Sequence, residues 1–140
     1  MPPAEEGRWL RCNSLCADAL APHIHRHGTA LRVARHLVAA GRTDDAIQPL
    51  IDASVEAQIR AHNDAAIALQ DEAERWLTEC RVPPSDMRWV RVWRQRGVTL
   101  LVLERDVDAE RSLECAVAAA RRFGHRAEEG WALHSLSRLL

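Results

Sequence analysis

The stretch from Trp93 to Ala116, WRQRGVTLLVLERDVDAERSLECA, decides the fold. Together with Trp89 just upstream, Trp93, Gly97 and Leu100 recur at the spacing of one helix face. Asp106 is placed to cap a second helix, which carries Ala109, Leu113, Ala116, Ala120 and Phe123 on one stripe before Gly124 stops it. The link between the two is short, so the second helix folds back on the first.

The same punctuation extends outward in both directions. Thr29 to Ala40 lines up Ala30, Val33, Ala34 and Leu37, and Gly41 follows as the left-handed stop. Thr43 is placed to cap the next helix, Asp44 and Asp45 sit against its positive end, and Ala46, Leu50, Ala53, Ala57 and Ala61 follow. Asn63 or Asp64 restarts the chain into Ala66, Leu69, Ala73, Trp76 and Cys80, and Pro83-Pro84 ends it. Ser85 then caps the helix bearing Trp89. Residues 126 to 140 form a last helix with Trp131, Leu133, Leu136 and Leu140, and residues 8 to 21 an earlier one through Trp9, Leu10, Leu15, Cys16 and Ala19. Six or seven helices with short links are predicted, and no strand.

Composition agrees. The chain has 140 residues, a single domain's length, and is 47% hydrophobic. Alanine supplies 23 positions and leucine 16, against 1 phenylalanine and 0 tyrosines, a balance that favours an all-α fold. All 19 basic residues are arginine and face 20 acidic ones, for a formal charge of −1. That argues against a nucleic-acid binder, which needs clustered excess positive charge. The first residues lack a secretory leader's basic and apolar regions, and uncharged runs such as Gly97 to Leu103 are far shorter than the ~20 residues that span a bilayer. The expectation is a soluble, cytoplasmic protein with no membrane contact. Four cysteines without a leader fit reduced thiols. Arginine-rich, lysine-free usage points to a GC-rich, bacterial genome.

The spacing of Trp93, Gly97, Leu100, Ala109, Leu113 and Ala116 resembles the tetratricopeptide repeat. Trp131 lies 38 residues beyond Trp93 and opens a further copy, while Ala30, Val33, Ala34, Leu37, Ala46, Leu50 and Ala53 fall in the same frame. Arg96 and Arg121 depart from the family pattern, which has Leu and often Pro there. The phrases VARHLVAAG (33 to 41) and AAARRFGH (118 to 125) resemble the helical-repeat regions of bacterial signal-transduction ATPases and some bacterial protein kinases. The resemblance implies a superhelical stack of antiparallel helix pairs, an α-solenoid of about 3.5 hairpins. The hairpins are placed at 29–61, 46–82, 85–124 and an incomplete 126–140, after an N-terminal segment, 1–28. No Gly-x-x-x-x-Gly-Lys loop is present, so no nucleotide cofactor is expected.

The resemblance also implies that the first helix of each pair lines a groove. In that frame Arg32, Arg35, Arg91, Arg94, Gln95 and Val98 face the groove, and guanidinium groups there suit an acidic partner segment. The expected function is non-enzymatic: a scaffold or sensor region that binds another protein or peptide. Trp131, Leu133, Leu136 and Leu140 predict an apolar end helix and self-association. The alternative is a small zinc-binding helical regulator built on Cys12, Cys16 and His23, with His25 and His27 nearby, although the spacing suits a helix end better. Cys80 and Cys115 are expected in the core, and no nucleophile, base and orienting group stand together for catalysis.

Overall fold

The apolar periodicities fold into α1 (Pro3–Leu20), α2 (Thr29–Ala39), α3 (Thr43–Ile59), α4 (Asn63–Glu79), α5 (Met87–Val102), α6 (Asp106–Phe123) and α7 (Arg126–Ser137). The structure, a computed structural model, describes all 140 residues and is all-α, without a strand. A short 3₁₀ turn, Ala21–His23, follows α1. No helix is long and apolar enough to cross a membrane.

The five helices α2 to α6 end alike. Each is followed by a residue at positive φ: Gly41 at 75°, Ala61 at 61°, Arg81 at 52°, Glu104 at 57° and Gly124 at 75°. The next amide then donates five residues back, from Arg42 to Leu37, His62 to Ala57, Val82 to Leu77, Arg105 to Leu100 and His125 to Ala120. This satisfies carbonyls that the helix end leaves without partners. Only two of the five stops are glycine, so the other three hold a side chain in a conformation that costs about 1–2 kcal/mol. Ala61→Gly and Glu104→Gly should each raise stability by about 0.5–1 kcal/mol, after allowing for the looser unfolded chain. Urea denaturation midpoints check this, and an unchanged or lower midpoint for both would contradict it.

Helix starts are less regular. Asp86, not Ser85, caps α5, its Oδ1 accepting from the Arg88 amide at 2.9 Å. Thr43 and Asp106 are the first helical residues of α3 and α6, and neither helix has a side-chain cap.

Each helix packs on the next in the chain, and α3 also packs on α5 and α5 on α7. Thus α3, α5 and α7 lie side by side. Three apolar clusters run through the protein. Ala17, Val33, Leu37 and Ala46 join α1, α2 and α3. Ala34, Ile47, Leu50, Ala73, Leu77 and Val92 belong to the largest, which spans α2 to α5. Val90, Ala116, Val117, Ala120 and Ala132 join α5, α6 and α7. Helix α3 packs more extensively on α4 than on α2, and α5 more extensively on α6 than on α4.

The α5–α6 contact turns on one small residue. A Cβ at Gly97 would fall on the Cγ of Leu113 and 2.6 Å from its Cδ2. Leu113, Ala109 and Ala116 are fully buried. The glycine therefore admits the facing leucine. Of the two thiols expected in the core, Cys80 is half-buried and Cys115 is exposed, because Cys115 sits one position off the buried stripe of α6.

Candidate functional site

Helix α5 carries a polar ladder on the side that meets α3 and α7. At its start, Arg88 Nη1 donates to the carboxylate and the carbonyl of Asp44 on α3, and its Nε and Nη2 donate to the Asp86 carboxylate, each at 3.1 Å. One turn on, Arg91 donates from Nε to Glu128 of α7 at 3.3 Å and from Nη1 to Gln48 of α3 at 3.0 Å. Arg94 donates from Nε to the other oxygen of Glu128 at 3.2 Å. Gln95 is buried and donates to Gln58 of α3 at 3.0 Å, while Val98 continues the stripe, half-buried.

Both guanidiniums thus clamp one carboxylate, whose side chain is 12% exposed. Two positive charges against one negative leave this cluster with one unit of positive charge. Neither arginine is used up, since Arg94 keeps both Nη groups and Arg91 its Nη2 for a further acceptor. At the head of the ladder, hydrogen bonding from Arg88 holds the Asp86 carboxyl below its ordinary value. The hydrogen bond to Asp86 is likewise the main cause raising Arg88, so the pair stays ionised.

The six residues expected to line one groove are divided by the structure. Arg91, Arg94, Gln95 and Val98 share the face just described. Arg35 instead reaches from α2 to Glu72 of α4, donating to both oxygens at 2.7 and 2.8 Å, and Arg32 is exposed on α2. The division follows from the packing: α3, α5 and α7 share one side, whereas α2 was read as the groove-lining helix of its pair. Residues not singled out in the sequence, Asp44, Gln48, Arg88 and Glu128, complete the ladder. Asp44 was accounted for by the helix dipole, and nothing local marks Glu128 as the partner of arginines on another helix.

On α7 the apolar residues also divide. Leu133 and Leu136 of α7, Leu139 and Leu140 just beyond its end and Val107 of α6 line an open groove of about 470 Å³ edged by Asp106 and Glu110. Trp131 is 61% exposed and does not line it. Two residues apart on a helix means roughly 200° of rotation, so Trp131 and Leu133 take opposite flanks.

A second groove, of about 490 Å³, lies between α4 and α6, with Trp93, Arg96 and Leu100 of α5 as its floor. Arg96 there bonds to Asp71 and Glu74, and Trp93 Nε1 donates to Glu74 at 3.4 Å. In the N-terminal cluster, Cys12 and Cys16 are exposed on α1, His23 lies in the 3₁₀ turn and His27 faces Glu56. No three His, Cys, Asp or Glu side chains come together to hold a metal ion.

Comparison with protein-family models, with curated proteins and with solved structures returned no match to this chain.

Proposed function

We propose that this chain is a non-enzymatic protein-interaction module of tetratricopeptide-like architecture, a scaffold or sensor region of a bacterial signalling protein working in the cytoplasm. The observation that carries this reading is the close approach of Gly97 to Leu113 within helices that pack only on neighbours one or two along the chain. That is the pattern of stacked helix pairs, whose common use is to present extended faces to partners. Helices α3, α5 and α7 form the inner wall in this reading. An acidic segment of a partner protein docks there, its carboxylates taking the free guanidinium edges of Arg91 and Arg94. The leucine groove on α7 is a second contact, through which copies of the chain associate.

Fluorescence anisotropy with a labelled peptide of consecutive glutamates tests the first contact, with a neutral glutamine peptide as control. Binding should weaken with added salt and fall at least about tenfold in Arg91→Gln/Arg94→Gln. Glu128→Gln removes the internal competitor and should tighten it. Equal binding of the two peptides, or no response to either variant, would defeat the acidic-segment reading.

A further inference from the structure

Trp131 is 61% exposed and stands apart from the leucine groove. Its place on α7 follows from the helix period. Ala132 is fully buried, Glu129 accepts from Arg121 of α6, and Glu128 is held by Arg91 and Arg94 of α5. Helix α7 therefore lies across both neighbours, with Glu129 and Leu133 on the flank toward α6 and Glu128 on the flank toward α5. Trp131 follows Glu128 by three residues, about 4.5 Å along the axis, on the same flank and turned further out to solvent. The links from Val102 to Asp106 and from Phe123 to Arg126 are short, so the chain reverses at each and α5 and α7 run parallel. The steps from Arg94 to Val98 and from Glu128 to Trp131 thus go the same way. The indole borders the arginine clamp at the end where half-buried Val98 continues the α5 face.

Charge is unevenly spread around that indole. Helix α5 has no acidic residue from Met87 to Val102, and the next along the chain, Glu104, is in the turn beyond its end. The residues one or two turns from Trp131 on its side of α7 are Ala127, Glu128, His134, Ser135 and Arg138, of which Ala127, His134 and Arg138 are exposed. Glu128 is the one acid among them, and two guanidiniums already share it. The other acids of the wall, Asp44, Asp52 and Asp86, lie toward α3 and the start of α5, where Arg88 and Gln48 engage them. Positive charge is therefore left over on the α7 side, next to the tryptophan.

We infer that Trp131 and Val98 form an apolar subsite beside the clamp, which takes an aromatic side chain two residues from a carboxylate in an extended partner segment. This rests on the acidic-segment docking proposed above and adds which acidic segments are selected. Side chains on one face of an extended chain repeat every ~6.6 Å. Helix residues three apart are separated by a similar ~5–6 Å. A carboxylate on the free Nη edge of Arg94 therefore brings the side chain two residues on against the indole. Tryptophan and arginine are the residue types that carry most binding energy in interfaces, and the indole offers a large rigid face at little cost in conformational entropy. The subsite accounts for an exposed tryptophan that neither the core nor the leucine groove employs.

Fluorescence anisotropy tests the subsite with two labelled peptides of consecutive glutamates, one with phenylalanine at its centre and one with glutamine there, so that their charges are equal. The phenylalanine peptide should bind the wild-type protein at least about tenfold tighter. Trp131→Ala should erase that advantage and leave the affinity for the glutamine peptide within about twofold, while Trp131→Phe should keep most of it. Unchanged helical circular dichroism checks that these substitutions at an exposed position spare the fold. Equal affinity of the wild-type protein for the two peptides, or an advantage that survives in Trp131→Ala, would overturn the inference. Docking itself would still stand in that case if the glutamine peptide binds and is released by Arg91→Gln/Arg94→Gln. Failure of both peptides to bind would overturn the docking and the subsite together. Loss of the glutamine peptide as well in Trp131→Ala would also overturn the subsite, since the indole would then be holding α7 in place rather than the ligand.

Discussion

Replacing Gly97 by alanine should lower stability, whereas the same change at Gly130 should raise it. Both glycines lie inside helices, and glycine to alanine there gains up to about 1 kcal/mol from helix propensity. Gly130 has open space around it and should show that gain of roughly 0.5–1 kcal/mol. At Gly97 the added methyl lands on Leu113, which is fully buried and has no room to retreat without moving α6. Overpacking of this kind costs typically about 1–3 kcal/mol, which outweighs the propensity term. Gly97→Val adds two more methyl groups at the same place and should lose about 3 kcal/mol. For a chain of this size each kcal/mol moves the thermal midpoint by roughly 3–5 °C. Leu113→Ala in the Gly97→Val background should be far less damaging than the two single effects added together, because the leucine it removes is the one in collision. A Gly97→Ala protein as stable as Gly130→Ala would refute the close approach and the helix pairing built on it.

What could be read from the sequence follows the range of the forces involved. Helix extents depend on side chains three and four residues apart and on stops a residue or two beyond. The stops after α6 at Gly124 and after α2 at Gly41 accordingly came out as expected, whereas Asp106 opens α6 as its first helical residue and not as its cap. The stops at Ala61, Arg81 and Glu104 carried no such mark, because there the bonds five residues back impose the left-handed conformation on side chains that do not favour it. Which helices share a side was harder still. Helix α3 buries Ala46, Ile47, Leu50, Ile51, Ala53 and Ser54, a surface too broad to assign it to a single neighbour. It packs on α2, α4 and α5 together, and the 29–61 and 46–82 pairings both looked admissible. The charged site was the least legible. Arg91 and Arg94 were visible as a helix face, yet Glu128 lies more than thirty residues away in the chain, and only the lateral packing of α7 on α5 brings it between them.

Reversing both arginines, Arg91→Glu/Arg94→Glu, should loosen α7 from the body of the protein. From the sequence the two look like exposed groove residues whose reversal leaves the fold intact, but the structure puts a carboxylate with a 12% exposed side chain between them. After reversal three carboxylates would converge where one was neutralised. Removing one partner of a fully buried ion pair costs about 3–5 kcal/mol. Arg91 is more than a third exposed and Arg94 a quarter, so solvent screening reduces the expected penalty to about 2 kcal/mol. Helix α7 has little else to hold it, because its only buried residues are Ala132 and Ser135, and a single ion pair, Arg121 with Glu129, ties it to α6. The loss should therefore be local: hydrogen exchange in residues 127–137 should accelerate by roughly thirtyfold, while the amides of α3 and α4 keep their protection. Adding Glu128→Arg to the reversed pair restores opposite charges and should recover most of that protection, which a nonspecific disturbance of α5 would not allow. Unchanged exchange in α7 would mean that Ala132, Ser135 and the half-buried leucines hold the helix by packing alone. In that case the clamp on Glu128 contributes nothing to docking α7, and both guanidiniums are free for a partner's carboxylate.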